Sequence, residues 1–190
     1  MLKPAILFKD ALLPLFAMAS FDPNNRFYSE GHWDFDDKIV SSTWSQIQLV
    51  STDKSDNIIG FFDIHINRQR YCARDMKVIR FLKSGKYDLT FAKDLKKFVL
   101  LIFDYFKFKK LNFEACVGSP NESMYDKFIN RYNGRVVGIK EREYKLMDGT
   151  ITDLKMYEML RENFVAAVEK NHGVEALPNW RKTYGEMYNK

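Results

Sequence analysis

The sequence predicts an α+β fold, a mixed and mostly antiparallel sheet flanked by helices. Three observations carry the prediction. Two alternating apolar runs, WSQIQLV (Trp44 to Val50) and NIIGFFDIHI (Asn57 to Ile66), flank the polar turn STDKSD, as in an antiparallel hairpin. From Phe91 to about Lys107, the residues Leu95, Phe98, Val99, Ile102, Phe103 and Phe106 recur three and four apart, the spacing of a helix with one apolar face. Later, RVVGIKEREYKLMDGTITDLKMYEML reads as two long strands joined at Asp148-Gly149, a short-hairpin dipeptide.

The other elements follow in order. Pro4 to Ser20 has helical spacing, with a kink or split expected at Pro14, and ends in the turn-forming FDPNNR. DMKVIRFL (Asp75 to Leu82) adds a third strand and makes the hairpin a meander. Thr90 or Asp88 can cap the long helix, whose first amides lack partners. LNFEACV (Leu111 to Val117) puts Leu111, Phe113, Ala115 and Val117 on one strand face, and strand, helix, strand in succession implies parallel pairing. A second helix, Glu122 to about Tyr132, should stop at Asn133-Gly134, where glycine accepts left-handed backbone angles. Arg161 to Lys190 is charged and helical in places, with breaks expected at Pro178 and Gly185.

A chain of 190 residues and 22.5 kDa suits one domain, read as 1–164 with its N-terminal helices (1–37) included and a helical extension over 165–190. With 46% apolar residues, 16 Phe, 10 Tyr and 3 Trp, the composition is that of a globular protein rather than a disordered one. Cys72 and Cys116 form no CxxC pair, and His32, His65 and His172 show no ligand spacing, so neither a disulfide framework nor a metal is implied. Pro4, Lys9 and Asp10 interrupt the apolar N-terminus before a signal-peptide core forms, and no run approaches the ~20 apolar residues of a membrane helix. A cytoplasmic protein without a membrane partner is expected. The net charge of +5 fits nucleic acid, an acidic partner or an anionic cofactor. Nucleic acid is disfavoured, because zinc-finger spacing, an RNP-like aromatic strand and a dense arginine cluster are all missing; Lys93, Lys96, Lys97, Lys107, Lys109 and Lys110 would have to carry it.

The order of elements resembles the GNAT-type acetyltransferase superfamily over roughly Lys38 to Phe164. FVLLIFDYFKFKKLNFEACVGSPNESM looks like that family's central helix, fifth strand and Asn-bearing turn; FINRYNGRVVGI resembles its short helix and sixth strand, and DGTITDLKMYEMLRENF its last hairpin. The resemblance implies the acyl-CoA N-acyltransferase-like α/β/α sandwich, with acetyl-CoA in a V-shaped opening of the sheet and an amine acceptor of unknown class. It sets Asn121 near the thioester, with Pro120 fixing the turn and Ser123 able to cap the helix. Ser-Pro-Asn-Glu is equally an ordinary capped helix start. Around the other end of the cofactor it sets Phe81, Leu82, Lys83, Lys86, Thr90 and Lys93. There the chain departs from the pattern, since LTFAKD (Leu89 to Asp94) has no glycine and Asp94 brings negative charge toward the phosphates, while LKSGKYD offers Gly85 between Lys83 and Lys86.

The usual acid position holds Phe128, which cannot donate a proton, leaving Tyr125 as the substitute. Asp75 is the selected base, with Glu114 and the Asp63/His65 pair, two apart on one strand face, also available. Such departures resemble divergent phage and prophage members. They keep open a second reading, a non-catalytic GNAT-fold interaction protein, phage structural or host-modulating, that has lost its cofactor site. Its protein partner would meet the C-terminal extension, where Trp180, Tyr184 and Tyr188 stand among basic residues.

Overall fold

Among the described residues, seven segments pair into one sheet. The structure is a computed structural model. It describes residues 1–20, Phe27, Ile39, 44–81, 89–146 and 148–188, without the side chains of Ser20 and 183–188. The strands are β1 (Leu2–Pro4), β2 (Gln46–Thr52), β3 (Ile58–Asn67), β4 (Cys72–Arg80), β5 (Lys110–Cys116), β6 (Arg135–Lys145) and β7 (Ile151–Leu160). The helices are α1 (Lys9–Ser20), α2 (Leu89–Leu100), α3 (Pro120–Arg131), α4 (Arg161–His172) and α5 (Ala176–Tyr188). The sheet order is β1-β2-β3-β4-β5-β7-β6, and among the described residues only the β4–β5 pair is parallel. The expected meander, parallel pair and closing hairpin are therefore present, within a mixed and mostly antiparallel sheet.

One face of the sheet is apolar. Ile47, Leu49, Phe62, Ile64, Met76, Val78, Leu111, Phe113, Tyr157 and Met159 pack there with Phe98, Ile102, Ile129 and Phe164 from the covering helices. Phe62 lies between two rings of α2, with centroids 5.2 Å from Phe91 and 5.3 Å from Phe98. Gly60 makes that approach possible, because a Cβ there would lie 2.2 Å from Phe91 Cε2. Phe113 stacks on Tyr157 at 5.2 Å and meets Tyr125 edge-on at 4.7 Å. Each fully buried ring of this kind contributes about 1.5–3 kcal/mol. On the other face a smaller cluster joins Val50 and Phe61 to Ala5, Leu12, Phe16 and Ile39.

Several local expectations change. α1 runs unbroken through Pro14, and α5 through both Pro178 and Gly185. Pro178 stands in the first turn of α5, where the missing N–H has no helical acceptor to lose. The short edge strand β1 was not expected, since three residues leading at once into a 3-10 turn (Ala5–Phe8) carry no periodic signal. α2 stops at Leu100 and is followed by a π turn over Leu101–Tyr105, so the helix predicted to reach Lys107 ends in a wider coil. Lys107 takes φ +60, and Arg161 Nε donates to the carbonyl of Phe103 at 2.7 Å. At the end of α3, Asn133 rather than Gly134 adopts the left-handed angle (φ 55). Gly134 answers to space instead, a Cβ there falling 2.8 Å from Met159 Cε and 3.0 Å from Ile129 Cβ.

The C-terminal helices lie on the core rather than apart from it. Phe164 and Val168 are fully buried, and Trp180 packs against the main cluster. Lys96 of α2 sits over the Trp180 ring, 4.0 Å from its centroid, while Arg181 grips Asp104 through two 2.7 Å hydrogen bonds.

Candidate active site

The site begins with an irregularity in β4. Its ladder to β3 runs Asp63↔Lys77 and then His65↔Arg74, so β4 carries one residue more than β3 across that interval. Asp75 lies in the interval with φ +57, a β-bulge, which bends its strand and sharpens its twist. On the opposite edge β4 pairs with β5 only at Cys72↔Lys110 and Ala73↔Leu111. Beyond those two pairs no β4–β5 ladder forms among the described residues, although β4 continues to Arg80 and β5 to Cys116. The sheet thus opens as a V with its apex beside Asp75. Its mouth faces the C-terminal ends of two parallel strands, where open α/β sheets place ligands.

β5 leads through Gly118 and Ser119 into α3 at that mouth. Gly118 takes φ +82. Ser119 is the N-cap, its Oγ accepting from the Glu122 N–H at 3.2 Å, so the cap expected of Ser123 belongs to Ser119, the residue before the first turn. Glu122 reaches back and accepts from the Gly118 N–H at 2.7 Å. The same carboxylate meets Lys155 Nζ at 3.2 Å, and Lys155 also bonds Asp126 at 2.9 Å. Tyr157 donates to Asp126 at 3.0 Å. The hydrogen bond from Lys155 holds the Asp126 carboxyl below its ordinary value, while burial and Asp126 push the Tyr157 hydroxyl well above its own. A carboxylate of the chain therefore already answers the Gly118 amide in the turn that leads into α3. A pyrophosphate does not fit there. Along the parted strands, beyond Ala73 and Leu111, the facing edges of β4 and β5 have no ladder partners in each other among the described residues.

Asn121 is half-buried on the first turn of α3, at the mouth, and Ser123 is exposed beside it. Asp75 is at the apex, so about 17 Å of β5 separates the two levels, five residues at ~3.3 Å each. Thr90 is half-buried on the first turn of α2, and Lys93 is exposed on that helix. Phe81 packs toward α1, its ring 5.5 Å from Phe16. Leu82, Lys83 and Lys86 lie outside the described residues. Tyr125 is 1% exposed, its ring set between Phe113 and Tyr157. Asp94 is buried and meets the Ser51 hydroxyl (2.8 Å), the Met1 amino group (2.9 Å) and Lys97 (3.2 Å), so its charge is paired within the protein.

The sheet face toward α1 is polar near the apex. Asp63 is buried and accepts from Gln46 Nε2 at 2.7 and 2.9 Å; burial pushes its carboxyl up against the pull of those bonds. His65 finds its carboxylate elsewhere, with Nδ1 3.8 Å from Asp75 Oδ2, because the bulge carries Asp75 toward it. Asn112 and Glu114 face the same side from β5. The reading of Ser-Pro-Asn-Glu as a capped helix start holds, with Ser119 as the cap, while the return of Glu122 to the Gly118 amide was not foreseen.

No family model matches the chain, and no curated protein matches it in sequence. Solved structures do. A spermidine N-acetyltransferase SpeG chimera from Vibrio cholerae and hSSAT superposes with TM-score 0.62 at 17% identity, over 81% of this chain and 93% of that one. The chain has the fold of the GNAT acetyltransferases. Vibrio cholerae SpeG crystallised with manganese ions gives TM-score 0.58 at 16% identity, covering 80% and 89%. A T. thermophilus chain that carries the name of an acetyltransferase gives 0.64 at 14%, covering 89% of each. Among the described residues no helix is long and apolar enough to cross a membrane.

Proposed function

We propose that the chain is an N-acetyltransferase that lays acetyl-CoA along the V and takes an amine acceptor from the polar face. The observation behind this reading is the parting of parallel strands β4 and β5 at a bulge whose own residue is a carboxylate paired with a histidine. Transfer joins the acceptor nitrogen to the acetyl carbon, breaks the carbon–sulfur bond and releases a proton from nitrogen. Asp75, with His65 beside it, is the base we assign to that proton. Tyr125 serves as packing beneath the site rather than as the acid. Asn121 steadies the arm at the mouth, while Thr90 and Lys93 stand closest in sequence to the phosphate end.

A second reading, a non-catalytic protein built on this fold, is favoured by one observation: Glu122 already answers the Gly118 amide at the mouth. Its partner surface would not include Trp180, which is engaged under Lys96.

Calorimetric titration with acetyl-CoA and CoA separates the two readings. The enzyme reading expects saturable micromolar binding that weakens in Asn121→Ala, and full binding with turnover lowered about 10²–10⁴-fold in Asp75→Asn. An absence of heat at millimolar cofactor would leave the interaction protein as the better account.

A further inference from the structure

One end of the sheet takes no part in the site above. Where β4 and β5 begin, away from the mouth, the β3–β4 turn lies against the stretch that enters β5: the Lys109 N–H donates to the Tyr71 carbonyl at 2.8 Å, and Cys72 pairs with Lys110. Arg68 and Arg70 of the turn thereby join Lys107, Lys109 and Lys110, which are distant from them in sequence. No single stretch of the chain shows this basic cluster; the fold assembles it. Two carboxylates reach it, Asp104 at Lys107 (3.4 Å) and Glu158 at Lys110, and each is also held by a second cation, Arg181 and Arg135. The patch keeps a positive excess. Lys96 and Lys97, by contrast, are engaged with Trp180 and Asp94.

Two aromatic rings stand at the same end. Trp44, just before β2, is 74% exposed, and Tyr71, just before β4, is 53% exposed. Arg68 lies 5.2 Å from the Trp44 ring centroid and donates to the Trp44 carbonyl at 3.1 Å, while Lys109 lies 5.7 Å from the Tyr71 ring. Taken strand by strand from β2 to β5, the ends present Trp44, Arg68, Tyr71 and Lys109. Ring, cation, ring and cation thus alternate over three strand spacings, about 14 Å.

We propose that this end of the sheet binds single-stranded nucleic acid, its cations on phosphates and its two rings on bases. The proposal stands apart from the acetyl-transfer reading. An acidic peptide would satisfy the cations and leave the rings without flat partners, and a duplex keeps its bases stacked inside; a single strand brings phosphates and open base faces together.

The test follows the fluorescence anisotropy of a labelled oligouridylate of about 12 nucleotides with the full chain, from about 50 to 200 mM salt. Binding is expected to fall steeply with salt, and Arg70→Gln and Lys109→Gln should each flatten the slope of log affinity against log salt by about 0.7. Trp44→Ala and Tyr71→Asn, the latter chosen because asparagine accepts the φ of 50 at that position, should each weaken binding about tenfold, with thermal melts checking that both fold. An abasic strand of equal length tests the stacking without altering the protein and should bind the wild type more weakly by a similar factor. Lys54→Gln, in the β2–β3 turn at the opposite end of the sheet, should bind as the wild type does. Any of four results would overturn the proposal: no binding at the lowest salt, a duplex or polyglutamate bound as tightly as the single strand, an abasic strand bound as tightly as the oligouridylate, or a loss in Lys54→Gln equal to that in Lys109→Gln.

Discussion

The two faces of the sheet differ in what their side chains do. On the face toward α2, α3 and α4, successive strands present Phe62, Ile64, Val78, Phe113 and Met159, each satisfied by contact alone. Toward α1, near the apex, the same strands present Gln46, Gln48, Asp63, His65 and Asn112. Apolar groups there would pack with less penalty than buried amides and carboxylates. The contrast teaches that one face holds the fold together and the other retains groups that packing alone does not require.

Phe113→Ala should break the apolar face most severely. It removes a ring that touches Tyr125, Phe128 and Tyr157, and a loss of about 3–5 kcal/mol is expected in denaturant melts. Gly60→Ala is smaller, about 1–3 kcal/mol, since α2 must retreat or Phe91 must leave its rotamer. A variant of wild-type stability would show that the Phe91 contact is loose.

Asp63→Asn sharpens the other side of the comparison and should have the smallest effect. Because burial raises the Asp63 pKa in the folded state, its stabilising contribution is complete below the unfolded value of 3.8 and is lost as pH rises through the folded value. The amide escapes that loss, so the variant should melt higher than wild type near pH 7 and show no advantage near pH 3. A variant less stable at both pH values would mean that the charged form carries the Gln46 contact.

The apolar face was largely legible in sequence. Three-and-four spacing from Phe91 marks α2, and alternation marks β2, β3 and β7, because a core face imposes the period of its element on the chain. The site was legible only in outline. Asp75 could be named as a carboxylate on a strand, but its partner could not: alternation ties His65 to Asp63, and a single bulge hands it to Asp75 instead. The cap of α3 was hidden by a choice between two serines four apart, Ser119 and Ser123, which only the backbone angles at Ser119 resolve.

The bulge in β4 also says how such an opening can arise or vanish. Without Asp75 the strand would read Arg74, Met76, Lys77 against His65, Ile64, Asp63, an unbroken ladder in which every later side chain keeps the face it now has. Deleting Asp75 should therefore straighten β4 while leaving the core faces of its later residues in place.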